Sequence, residues 1–201
     1  MTTLGSPGAV TGKHEAERRI PGEEGTWIFI FGDMTVFSAL FGAFLYYRGR
    51  YADVFGESRL ELIQAFGVLN TILLLTSSYF VITAVRAVRR GDLPLANKLV
   101  AGAMALGIGF VLNKAAEYTW EVTHGHTPGT NQFFMYYYVM TGLHLLHVAV
   151  GLVLLFLMRK WTRMPALDSR HHAYFDGAAC VWHMVDLLWI VIFPLLYLVH
   201  S

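Results

Sequence analysis

The sequence predicts an all-α membrane protein: a bundle of five transmembrane helices with its N-terminus in the cytoplasm and its C-terminus outside. Three observations carry that expectation. Of the 201 residues, 55% are hydrophobic and only 14% are charged, too few polar side chains to cover a soluble domain of this size. Five apolar stretches reach the roughly 20 residues that an α-helix needs to cross the hydrocarbon. Lysine and arginine are abundant in every second loop and scarce in the others, as the positive-inside rule requires.

Residues 1–21, rich in Gly, Thr and charge, contain no apolar core of the kind a secretory signal needs, and are expected to form a mobile N-terminal tail. Residues 22–201 then make a single membrane domain. Spans are predicted at 27–47, 63–85, 99–120, 133–158 and 177–199, each bounded by charges or a Gly/Pro-rich turn. One side of the bundle receives Lys13, Arg18, Arg19, Arg86, Arg89, Arg90, Lys98, Arg159, Lys160, Arg163 and Arg170, and the other only Arg48, Arg50 and Arg59. This split of eleven to three sets the orientation. Trp27, Tyr46, Tyr47, Trp120, Tyr136, Tyr137, Tyr138, Trp161 and Tyr197 fall near span ends, where amphipathic rings anchor at headgroups. Gly102, Ala103, Gly107 and Gly109 in the third span, with Gly142 and Gly151 in the fourth, predict close backbone approach.

Several functions are excluded. A net charge of +1 provides no body of charge for nucleic acid, and the single Cys180 rules out an internal disulfide and a Cys-based zinc site. No Gly-rich phosphate loop and no Ser or Cys nucleophile beside a base is present, so the chain does not read as a complete enzyme. The repeat common in transporters is also missing.

Ionisable groups within spans cost about 2.5–3.5 kcal/mol each, even on lenient insertion scales, and so mark candidate sites. The first span holds Asp33, the third Lys114 and Glu117, the fourth His144 and His147, and the fifth His183 and Asp186. Spacing of i, i+3 puts each of these pairs on one helical face. Lys114 and Glu117 can neutralise each other locally, as can His183 and Asp186, whereas His144 and His147 need partners on other helices. The pattern predicts an interior polar seam joining the third, fourth and fifth spans. Asp33 is either protonated or bonded to a neighbouring helix or subunit. Such a seam can hold helices in register, relay protons, or present three imidazoles and a carboxylate to a metal. Glu121 and His124 have the Glu-x-x-His spacing of di-iron bundles, but at a membrane edge and in a single copy. His124, His126, His171 and His172 read as solvated loop residues.

In order along the chain, these segments resemble subunit III of the haem–copper oxidase superfamily. They are Trp27-Ile-Phe-Ile-Phe-Gly-Asp33, Asn70-Thr71 with Thr76-Ser77-Ser78, Glu117-Tyr118 followed by Trp120, Thr141-Gly142-Leu-His144-Leu-Leu-His147, and Trp182-His183-Met-Val-Asp186-Leu-Leu-Trp189. The resemblance implies an accessory helical bundle in a bacterial plasma membrane, packed beside the catalytic subunit I. Haem and copper would reside in that partner, none in this chain, and phospholipid would be retained. Asp33 and Glu117 would be interior carboxylates near a lipid or gas route. Lys114, His144, His147, His183 and Asp186 would form the interhelical clasp. Three features depart from the common family pattern: five spans in place of seven, Asp33 where Glu is usual, and Lys114 where Gln is common. These lean toward the subunit III-like proteins associated with nitric oxide reductases. The same ionisable residues would also suit a stand-alone histidine metalloenzyme, or a small transporter using Asp33.

Overall fold

The structure, a computed structural model, describes residues 24–164 and 167–198. The predicted N-terminal tail lies outside these. The element order is α1 (Glu24–Arg50), α2 (Ala52–Glu61), α3 (Gln64–Arg89), α4 (Leu93–Thr123), α5 (Gln132–Trp161) and α6 (Ser169–Phe193), closed by a π-helical turn, Pro194–Leu198. Five helices are long and apolar enough to cross a membrane, and no strand occurs among the described residues. The spans run 26–31 residues, longer than the apolar stretches, because a helix continues into the headgroup layer until a cap stops it. Three such caps are polar side chains: Asp92, Asn131 and Asp168 accept the backbone N–H of Leu95, Phe134 and His171 at 3.0, 3.0 and 2.9 Å. Gly91, at φ +78°, makes the tight turn from α3 into α4, a backbone state that favours glycine.

One helix has no counterpart among the predicted spans. α2 is too short and polar to stand out by hydropathy, and it forms where Phe55 can pack on Phe44 and Phe133, at ring separations of 5.4 and 5.6 Å. It marks one end of the bundle, together with the α4–α5 loop and the π turn. The α3–α4 turn and the α5–α6 connection mark the opposite end.

α3 through α6 form the packed body. Within it the Trp182 indole lies in a slot between two glycines. A Cβ on Gly151 would come within 2.6 Å of that ring, and one on Gly107 within 2.9 Å. Small residues here let bulky rings close the helix interface, the main source of association in lipid. α1 is attached more loosely. Only 11% of its apolar window is buried, against 28–56% in the other four spans, and Ile28, Phe31, Val36 and Tyr46 are exposed.

Candidate functional site

Lys114 sits at the centre of the bundle, fully buried. Its Nζ lies 3.0 Å from Glu117 Oε2, the partner expected from the i, i+3 spacing. It also donates to the hydroxyls of Tyr197 at 3.0 Å and Tyr137 at 3.2 Å. Both tyrosines in turn donate to Glu117 Oε1, Tyr137 at 2.7 Å and Tyr197 through a short hydrogen bond. The rings of Tyr118, Tyr137, Trp189 and Tyr197 surround the ammonium, with centroids 4.7–5.7 Å away. Both charges are thus hydrogen-bonded and walled by π-faces, the condition under which a buried ion pair is tolerated.

Tyr197 arrives by way of Pro194. Proline has no N–H to give to the preceding turn, and the helix widens there into a π turn that brings Tyr197 across to α4. Their places near span ends predict Tyr137 and Tyr197 at the headgroup layer as interfacial aromatics. Both are instead fully buried, with their hydroxyls consumed by the Lys114–Glu117 pair.

The remaining span residues do not continue this cluster as a single seam. His147 Nε2 lies 2.8 Å from Asp33 Oδ1, joining α5 to α1, so the partner of Asp33 comes from a neighbouring helix. His147 Nδ1 faces the Leu143 carbonyl at 2.7 Å, and a carbonyl can only accept. That nitrogen therefore carries hydrogen, and a further hydrogen is shared between Nε2 and the Asp33 carboxyl. Asp33 Oδ2 is buried without a partner.

His183 does not pair with Asp186. Its Nδ1 meets Ser78 Oγ of α3 at 2.6 Å, and Asp186 Oδ1 is left unpartnered. The short serine on the facing helix offers a closer partner than the carboxylate one turn along. His144 has no polar partner on either nitrogen. It packs edge-on to Phe110 and beside Trp189, with centroids 5.5 and 5.3 Å away. The three imidazoles thus turn to three different places. Among the described residues, no three His, Cys, Asp or Glu side chains gather where they could hold a metal ion.

A further cluster escapes sequence reasoning. Glu121, near the end of α4, is fully buried within the bundle, and its Oε2 lies 2.7 Å from His126 Nδ1. His126 Nε2 lies 3.2 Å from Glu61 Oε2 on α2. The ring stacks on Phe134 at 4.7 Å, and Tyr138 donates to its backbone carbonyl at 2.8 Å. His126 is therefore a bridge between α2 and α4 and not a solvated loop residue, because the formation of α2 carries Glu61 to it. One hint is present in the sequence: Glu121 lies four residues beyond Glu117, on the face that carries the buried pair. His124, by contrast, is exposed and stacks on Trp120 at 4.2 Å. At the opposite end, the N–H and ring of His171 bond the Asp168 carboxylate and hold its pKa below the usual value.

Fold and site together define a class: a multi-pass helical subunit whose ionisable groups are engaged mainly in joining its own helices. Comparison with known proteins makes that class specific. The family model described as "Cytochrome c oxidase subunit III" matches residues 3–201, and the chain belongs to that family. The cytochrome c oxidase subunit 3 of Synechocystis is 34% identical over 175 residues, 87% of this chain and 74% of that protein. A probable cytochrome c oxidase subunit 3 of Mycobacterium leprae is 30% identical, with 99% of each chain covered. A quinol oxidase subunit 3 of Bacillus spizizenii is 31% identical, covering 87% of this chain and 85% of its own. With five apolar helices, the protein is a multi-pass protein of the bacterial plasma membrane.

Proposed function

We propose that this chain is the accessory subunit of a respiratory haem–copper oxidase, docked beside the catalytic subunit I and supporting its oxygen reduction and proton uptake. The observation that carries the reading is the family match over nearly the whole chain. Haem and copper belong to the partner. The loosely attached α1, with exposed apolar residues on a helix that also holds Asp33, supplies a face for a protein neighbour or retained phospholipid. Asp33, bonded to His147 on one oxygen and free on the other, is the interior carboxylate of that face, and the Lys114–Glu117 cluster with His183 fixes the helices behind it. The positive-inside count puts the α2 end outside the cytoplasm. Relatives named as cytochrome c and quinol oxidase subunits favour an oxidase over a nitric oxide reductase.

Purification of tagged chain from its native membrane in mild detergent, with a visible spectrum and metal analysis of the eluate, tests this directly. The expected result is a co-purifying subunit bearing haem and copper. Chain recovered alone and colourless, or carrying stoichiometric metal by itself, would overturn the reading.

A further inference from the structure

We infer that Glu61, His126 and Glu121 form a proton path from the α2 end of the bundle to the buried Lys114–Glu117 cluster. The inference stands on the geometry of those groups and does not depend on the oxidase reading. Exposure falls stepwise along the line: the Glu61 side chain is 47% exposed, His126 21% and Glu121 1%. One end thus opens to solvent and the other is sealed inside the bundle. His126 joins them, because each of its ring nitrogens faces a different carboxyl group, at 3.2 and 2.7 Å. A neutral imidazole has hydrogen on only one nitrogen, so with a carboxyl on each side it can take a proton at one face while giving one up at the other.

The step balances without any further reactant. A proton on the Glu61 carboxyl moves to Nε2 as the Nδ1 proton moves to Glu121 Oε2. One O–H bond breaks at Glu61 and one forms at Glu121, and the ring ends in its other tautomer, which rotation or re-protonation resets. Glu121 Oε1 is buried with no partner, so no hydrogen bond on that oxygen opposes a turn of the carboxyl that carries the proton on Oε2 away from His126. Glu117 is the next acidic group on the same face of α4, one helical turn away, and it is bonded to Tyr137, Tyr197 and Lys114. The other groups around His126 do not compete for the proton. From α5, Phe134 covers the ring and Tyr138 bonds only its backbone carbonyl, and Arg59 of α2 points to the Tyr197 carbonyl.

A structural tie between α2 and α4 would use the same contacts, so the test must separate holding from transfer. Full-length chain in nanodiscs is moved from H2O to D2O, and exchange of the Tyr137 hydroxyl is followed by difference infrared spectroscopy, with Tyr137→Phe to assign the band. His126→Gln can still bond to both carboxyl groups but cannot relay a proton. It is expected to slow exchange about a hundredfold with little change in melting temperature. Glu61→Gln, at an exposed position that leaves folding intact, is expected to slow exchange more weakly and to remove its dependence on pH. Wild-type exchange rates in both variants, or a Tyr137 hydroxyl that does not exchange in the wild type, would overturn the inference.

Discussion

Two ionisable pairs lie within the membrane, and they are held in very different ways. Lys114 and Glu117 belong to one helix and are enclosed by α4, α5 and the π turn, with every polar atom of the pair bonded. Asp33 and His147 bridge α5 to the least buried helix, and one carboxylate oxygen has no partner. The first arrangement is complete within the chain. The second is unfinished, and lies on the helix with most surface left to offer. The two differ in how completely the chain satisfies them: every polar atom of the first pair is bonded, whereas Asp33 Oδ2 of the second is buried without a partner.

The largest expected effect follows from breaking the complete pair. Lys114→Met leaves the Glu117 carboxylate buried and unpaired, and should cost about 3–5 kcal/mol of stability. Unfolding in detergent followed by tryptophan fluorescence reads this, and adding Glu117→Gln should recover much of the loss. A Lys114→Met protein as stable as wild type would show that the pair does not support the fold. Next in size is Gly151→Ala, whose new methyl meets the Trp182 ring at 2.6 Å and should cost about 1–3 kcal/mol in the same assay.

Asp33→Asn acts on the unfinished pair. It keeps the shape and a hydrogen bond to His147, so the isolated chain should lose only about 1 kcal/mol. The change should instead appear in the assembled complex, as altered turnover or faster inactivation. A variant matching wild type in both would remove any role for that carboxylate.

The smallest effect is expected at Asp168, whose carboxylate is held below its ordinary pKa of 3.8 by the His171 N–H and ring. A depressed acid contributes stability above its unfolded pKa and loses it as pH falls through the folded value. Removing the cap by Asp168→Ala should therefore matter at neutral pH and make no difference in strong acid. An equal effect at both pH values would contradict this.

The fold is largely legible in the sequence because lipid imposes a simple rule: each crossing must be a long apolar helix, and hydropathy counts them. α2 is not legible, since its stability comes from Phe55 packing on residues distant in sequence. In the site, the Lys114–Glu117 contact can be read from local spacing. Its tyrosine partners cannot, because a tyrosine near a span end looks the same whether it faces headgroups or, after a proline-induced π turn, the bundle axis. The expected His183–Asp186 pairing fails for a related reason. Spacing identifies residues on one face but says nothing of the serine that a facing helix presents. His126 looks like a loop residue because its partner, Glu61, lies on the helix that hydropathy misses.

The central claim, that this chain supports a redox centre housed elsewhere, is most directly tested by removing it. Complex prepared with and without the chain would be compared for haem and copper content, initial oxygen consumption and its decay over repeated turnover. The account predicts unchanged haem and copper with slower proton-coupled turnover and earlier inactivation. Loss of the redox spectrum together with the chain, or identical behaviour without it, would contradict the account.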